Sequence, residues 1–479
     1  MPHLESQRIA REARRLARSA GLLAVLAAIS IPGHGHAADY QDKALFGRSP
    51  LLRCDIDKFV GIYTTDVCIA VSGYARLDVS AIGKNWLGTD GYTVSALSVD
   101  GYYVPPSGVV PTISFGRRDD TIEMYSEARM RVDVRSVTEL GTVRGYVEGE
   151  FQDDDTRTGG TLGLRHAYIQ IGNWTLGKTR STYLHDASGP SYSDPYTVVG
   201  DNSTAIRRTQ IRYTQPFGQG VSLALAIENQ AYDTAPAAIV GVGPNVPIVN
   251  PAATALSVVN GPSSLPDLVA ALKWDREGVI SMQVSGALHR NRYVGTQTIA
   301  GQPVLSYNDE SLGFALLFGL GLDLPTGDGD KFTFLANYTD GASQYLQDMY
   351  GDSTEVVWGR CGFGNCILDQ VRKWSVVSSL THYWTPAISS SAGAGYSQTD
   401  YGVVGTALTG LSGAPGILEV ASFGAFANIA WQPTRHTTFM LDVHYGHIDY
   451  RDFDLNPGIA GIQDSQGAWA ATFEVTRRY

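Results

Sequence analysis

The sequence is poor in charge for its length. Asp, Glu, Lys and Arg make up 17% of its 479 residues, against roughly 25% in ordinary soluble domains. Long apolar runs are missing too. Behind the N-terminal region no run reaches the roughly 18 residues that a membrane-spanning helix needs, and the mean hydropathy of −0.08 is far below that of a helical membrane protein. Met is scarce, at 6. There is no GxSxG, HExxH, GxGxxG or P-loop pattern, which removes the common nucleophile, zinc and phosphate sites. His444 and His447 lie three apart on one candidate strand, so they face opposite sides and cannot share a metal. Asp328-Gly-Asp330 resembles a fragment of a calcium loop without the remaining ligands and reads as a turn. No enzyme activity and no cofactor are expected. The net charge of −11 argues against a nucleic-acid partner.

What is abundant is Gly (53) and Tyr (25), a composition that fits sheets with tight turns and aromatic belts. The hydrophobic pattern has period two. In 313–324, Phe314, Leu316, Phe318, Leu320 and Leu322 share one face, while Gly313, Ala315, Gly319 and Gly321 share the other, with Leu317 as the exception. In 127–135, Ala128, Met130, Val132 and Val134 alternate with charged residues, and similar alternation recurs in 142–151, near 210, and in 280–289 and 438–446. Residues 161–171 fit less cleanly. Such strands separate two solvents.

Sixteen strand candidates centre near residues 75, 130, 146, 166, 178, 210, 225, 271, 285, 316, 335, 378, 394, 426, 443 and 473. Each has about ten residues or more, enough for a tilted strand to cross a bilayer. Seven short connections alternate with eight long ones, which fill 82–121, 152–160, 183–205, 232–266, 293–306, 341–370, 400–418 and 451–466. That sorting predicts an all-β fold: a transmembrane up-and-down antiparallel β-barrel of 16 strands, short turns to the periplasm and long loops outside. Trp174, Phe217, Trp274, Trp384 and Trp431 sit beside the short turns, where an interface belt belongs. The chain ends on a strand whose Trp469, Ala471, Phe473, Val475 and Tyr479 share a face. A terminal aromatic there resembles the signal read by the outer-membrane assembly machinery.

Residues 1–37 read as a secretory signal peptide: Arg8, Arg11, Arg14, Arg15 and Arg18, then a short apolar stretch from Ala20 to Ile31, then Gly35-His36-Ala37 as a cleavage site. Removing the five Arg and two Glu of that segment, a charge of +3, takes −11 to −14. Residues 38–67 lack the barrel pattern and read as a periplasmic extension, with the barrel at 68–479. The four cysteines are expected as disulfides of an oxidising compartment, Cys54 with Cys68 and Cys361 with Cys366. The rival is a zinc site of all four, disfavoured because neither pair has CxxC spacing.

Several segments resemble the general porins of alphaproteobacteria. Cys68-Ile-Ala-Val-Ser-Gly-Tyr-Ala-Arg76 resembles their first strand, and 129–146 (RMRVDVRSVTELGTVRGY) their second hairpin. Residues 167–181 (AYIQIGNWTLGKTRS) resemble the strands before the constriction loop, and 266–289 (PDLVAALKWDREGVISMQVSGALH) a mid-barrel hairpin. The match runs through most of 54–290 plus the last strand. The resemblance implies a homotrimer in the outer membrane of a Gram-negative bacterium, among lipid and lipopolysaccharide, passing small hydrophilic solutes and ions by passive diffusion. It also implies that the third long loop, 183–205, folds into the pore.

A barrel of this size encloses water, so alternate side chains should line a channel. Arg76, Arg129, Arg131, Arg135, Arg144, Arg208 and Arg212 are expected as a basic wall. Facing it is an acidic constriction loop with Asp186, Asp194 and Asp201, and between them a transverse field that filters ions. The alternative for each Arg is pairing along the wall, for which Asp78, Asp133, Glu148 and Glu150 are available. The rival functions are a substrate-specific channel of the same architecture and a non-conducting barrel acting as an adhesin.

Overall fold

The computed structural model describes residues 60–63, 67–83, 121–153, 160–193, 198–202, 206–230, 254–260, 265–299, 302–346, 356–362, 365–400, 419–451 and 465–479. The signal segment, Cys54 and Asp194 lie outside the described residues.

Sixteen strands make the wall. They are β1 (Val67–Ile82), β2 (Thr121–Thr138), β3 (Gly141–Gln152), β4 (Thr161–Ile171), β5 (Trp174–Arg180), β6 (Arg207–Gly218), β7 (Val221–Glu228) and β8 (Asp267–Arg276). Then come β9 (Ile280–Ile299), β10 (Gln302–Asp323), β11 (Lys331–Asp340), β12 (Arg372–Thr385), β13 (Ile388–Asp400), β14 (Glu419–Thr434), β15 (Thr437–Arg451) and β16 (Ser465–Arg478). Each pairs antiparallel with the next. β16 pairs with β1 from Tyr74↔Arg478 to Ile82↔Ala470 and closes the barrel. Closure leaves no sheet edge within the wall, as hydrocarbon surroundings require.

The pleat sorts the side chains. Leu77, Met130, Val147, Ile169, Ile211, Leu272, Val284, Leu316, Leu380, Ile429, Leu441 and Phe473 are exposed on the outer face. Between them, Arg76, Glu127, Arg129, Glu148, Gln283, Asn337, Ser375 and Asp442 are buried on the inner face. Trp174 packs on Tyr213 at 5.0 Å and Trp431 on Phe439 at 5.4 Å at the short-turn end. A second belt lies near the long-loop end, where Trp374 meets Tyr396 at 5.2 Å and Trp469 meets Tyr445 at 4.8 Å. Two aromatic girdles bound the apolar band of a membrane barrel.

The short turns fall where the sequence places them. Gly172 (φ 54°) opens the two-residue turn before β5, a conformation that costs glycine little. In the longer turn before β11, Asp330 acts as a buckle. Its carboxylate accepts the Thr326 hydroxyl at 2.6 Å and the Tyr383 N–H at 2.8 Å, and pairs with His382 at 2.8 Å. These bonds draw its pKa down to about 2.

Three expectations need correction. Residues 293–306 are not a loop: β9 and β10 continue as a hairpin to Ile299↔Gln302, flanked by a strand at Thr254–Asn260. Beyond the membrane neither face must be apolar, so no period marked it. Within 341–370, Val356–Gly362 pairs with Asn365–Gln370, setting Cys361 opposite Cys366. The extension before β1 is not free of sheet either. Val60–Tyr63 pairs with β1 from Val60↔Val71 to Tyr63↔Cys68, on the side where β16 has ended. Cys68 is disulfide-bonded.

Candidate functional site: the barrel lumen

Two different surfaces line the inside. On β1 to β3 the inner positions are rich in charge. Arg76 bridges Asp78 at 2.8 Å and Glu127 at 2.8 Å. Arg129 bonds Glu127 at 2.7 Å and also Glu150, with Glu148 at 3.7 Å. Arg131 pairs with Glu148 at 3.0 Å, and Asp133 takes both Arg135 and Arg144 at 2.9 Å. Tyr74 donates its hydroxyl to Glu127 at 2.5 Å. Arg76, Arg129, Arg131, Arg135 and Arg144 are therefore neutralised along the wall itself, the alternative to a free basic surface.

On β9 to β15 the lumen face is covered by the chain that leaves β5. Gln283 Nε2 donates to the Leu184 carbonyl at 3.0 Å, and Ser285 donates to the Tyr183 carbonyl at 2.5 Å. His185 Nε2 pairs with the Ser281 hydroxyl at 3.0 Å. A short 3₁₀ turn at Asp186–Ser188 follows. Further along, Asn428 donates to the Ser191 carbonyl at 2.8 Å, and the Ser193 N–H donates to Asp442 at 2.6 Å. The Tyr192 ring stands edge-on to Phe426 (5.3 Å) and His444 (5.6 Å). Finally the Ser375 hydroxyl donates to the Gly200 carbonyl at 3.3 Å.

The wall is shaped for this chain. A Cβ on Gly319 would meet His185 and Ser188 below 3.0 Å, and one on Gly395 would strike the Val199 carbonyl. Leu317, the apolar exception on the inner face of β10, is buried with Tyr183, Leu184, Val198, Leu335 and Val377 in a small core inside the barrel. Burial there holds the His185 imidazole neutral, with its pKa lowered to about 3; Lys273 adds to the shift. Burial likewise raises the Tyr183 hydroxyl well above its ordinary value.

Of the acidic residues singled out by sequence, Asp186 is half exposed and pairs with Arg180. Asp201 is buried and accepts the Tyr192 hydroxyl. Arg208 lies on the inner face of β6 and donates to Gln344 at 2.7 Å, 6.0 Å from the Tyr345 ring centre. Arg212, four residues on, has an Nε without a hydrogen-bond partner.

Sequence reasoning missed Arg165, which bonds Glu148 at 3.1 Å and also Glu150. The signal was there: 161–171 breaks the alternation because the register shifts opposite Glu148 and Gly149, leaving Arg165 as the bulged residue. It also missed Asp267, His289, Gln344 and Tyr345, which meet inside the barrel from three distant segments.

A family model described as a porin subfamily matches residues 59–472. Among solved structures, the outer membrane channel DcaP of Acinetobacter baumannii is similar, with TM-score 0.61 and 20% identity over 87% of this chain and 99% of that one. A loop-deletion mutant of Vibrio cholerae OmpT has TM-score 0.46 and 10% identity over 86% of this chain and all of that one. Salmonella typhi OmpF has TM-score 0.46 and 10% identity over 88% and 100%. No curated protein matches the sequence. The likeness to the Acinetobacter channel is one of fold.

Proposed function

Because this chain belongs to the porin subfamily, a family of outer-membrane channels for passive diffusion, we propose that its third loop is the pore constriction and that solutes pass between that loop and the ionic wall of β1 to β4. The observation that carries this reading is the run of contacts from Leu184 to Gly200, which binds the loop to the inner faces of β9, β12, β14 and β15. A loop spread over that arc leaves the opposite arc, with its paired charges, as the wall that water can reach. Fixed opposite charges across a narrow passage orient water, favour hydrophilic solutes and disfavour apolar ones.

The finer parts of the proposal rest on sequence. The segments quoted above favour the alphaproteobacterial general porins and a homotrimer, inserted by the outer-membrane assembly machinery through the strand ending at Tyr479. Cys54–Cys68 and Cys361–Cys366 are the proposed disulfides, and residues 1–37 the signal peptide. No catalytic role is proposed: the family is one of channels.

The test is single-channel conductance of purified protein in a planar bilayer under a salt gradient. Large steps in groups of three, without saturation by any one solute, fit the open trimeric channel. Saturable block by one solute class would replace it with a substrate-specific channel. Absence of conductance from folded, heat-modifiable protein would leave an adhesin.

A further inference from the structure

The third loop is not held by the wall alone. After β11, Gly341 (φ 62°) turns the chain, and Ala342–Leu346 of the sixth long loop is fully buried against the inner faces of β6, β8 and β9. Its anchor is Asp267, itself 0% exposed. The Tyr345 hydroxyl donates to Asp267 Oδ2 at 2.8 Å, and Gln344 Nε2 donates to the same oxygen at 3.2 Å. Asp267 Oδ1 takes His289 Nδ1 at 2.8 Å and Gln230 Nε2 at 3.0 Å. Asn291 donates to the Gly341 carbonyl at 2.6 Å, and Arg208 to the Gln344 side chain.

From this anchored segment two contacts reach the third loop. The Tyr345 ring lies 5.1 Å from that of Tyr183, where the loop enters the lumen. The Tyr345 carbonyl accepts the Asn202 side-chain amide, where the loop leaves it. One residue thus touches both ends of the inserted segment.

We propose that Ala342–Leu346 is a clamp that fixes the position of the third loop, with Tyr345 as its positioning residue and Asp267 as the wall post to which it is bolted. The proposal rests on the third loop being the constriction. With the clamp docked, both ends of the loop are pinned and the channel holds one conductance level. With the clamp released, the loop is left on its own wall contacts and samples other positions, read as closures and sublevels. A buried carboxylate at the post suits this, because hydrogen bonds to a charged acceptor are the strong ones and are costly to break.

The experiment records single channels of the full-length protein and of Tyr345→Phe, which keeps the ring and deletes only the hydroxyl donated to Asp267. Asp267→Asn is the second variant, and heat-modifiable migration checks that both fold. The expected result is a rise of about tenfold in closing or sublevel transitions, the factor one charge-assisted hydrogen bond carries, with the fully open conductance and reversal potential unchanged. Asp186→Lys is run alongside to read the constriction itself. If it shifts the reversal potential while Tyr345→Phe closes no more often than the parent, the clamp is refuted and the constriction stands. If Asp186→Lys shifts nothing, the constriction fails and the clamp falls with it.

Discussion

The two inner arcs of this barrel obey the same alternation and use it for different ends. On β1 to β4 the inner positions carry most of the lumen's charge, and the charges satisfy one another along and across strands, as Arg129 does with Glu127, Glu148 and Glu150. On β9 to β15 the inner positions are small or uncharged for the most part, Gly319, Ser375 and Gly395 among them, and a single passage of chain lies over them. The difference teaches that period two marks a face turned from lipid, but not whether that face meets water or protein. Residue size settles it: long charged side chains need hydrated space, whereas glycines in a strand mark a close backbone approach.

The sharpest way to break the comparison is to fill the covered arc. Gly319→Leu puts a side chain where His185 and Ser188 lie, and overpacking of this kind costs about 1–3 kcal/mol. The third loop should leave that site, changing single-channel conductance several-fold while the barrel stays heat-modifiable. Gly145→Leu on β3, where a Cβ meets nothing within 4 Å, should leave conductance as it was. Equal effects from both would mean that the loop packing does not govern the pore.

Next in size is the ionic arc. Arg129→Gln removes the cation shared by three carboxylates. Its worth lies between that of an exposed pair, under about 1 kcal/mol, and a buried one, about 3–5 kcal/mol; roughly 2 kcal/mol of barrel stability should go. The reversal potential should move toward cations. An unchanged reversal potential would mean that Arg129 lies outside the ion path.

The acidic loop residues come third. Asp186→Ala should move the reversal potential toward anions, because Asp186 is half exposed beside Arg180. Asp201→Ala should move it less, since Tyr192 already caps that buried carboxylate. Asp194→Ala carries the same direction from sequence. A null result from Asp186 and Asp194 together would put the loop outside the ion path.

Much of this was legible in the sequence. All sixteen strands and seven short turns could be placed because lipid on one side forces a period that turn residues interrupt. Leu317 was visible only as an anomaly, since the residues that cover it, Tyr183 and Leu184, lie more than a hundred positions away. The same holds for Asp267, His289 and Tyr345, each ordinary in its own segment. Charge was readable but pairing was not: Arg129 and its carboxylates look alike whether the wall is free or self-neutralised, and only the cross-strand register brings Arg129 opposite Glu150.

The smallest expected effect lies outside both arcs, at the turn before β11, and so tests whether the arcs alone carry the pore. The carboxylate of Asp330 has its pKa drawn down to about 2 by Thr326, the Tyr383 N–H and His382, against about 3.9 in an unfolded chain. The folded barrel therefore binds fewer protons at this site than the unfolded chain does. Its contribution is complete above about pH 4 and disappears as pH falls from about 4 to about 2. Asp330→Asn should lower the heat-modification midpoint by the same small amount at every pH from 7 down to about 4, and the gap should close by about pH 2. Conductance and reversal potential should match the parent throughout, because the buckle fastens a turn and touches neither the ionic wall nor the inserted loop. A gap that persisted at pH 2 would mean that the lost stability came from shape rather than charge, and a changed reversal potential would bring the turn into the ion path.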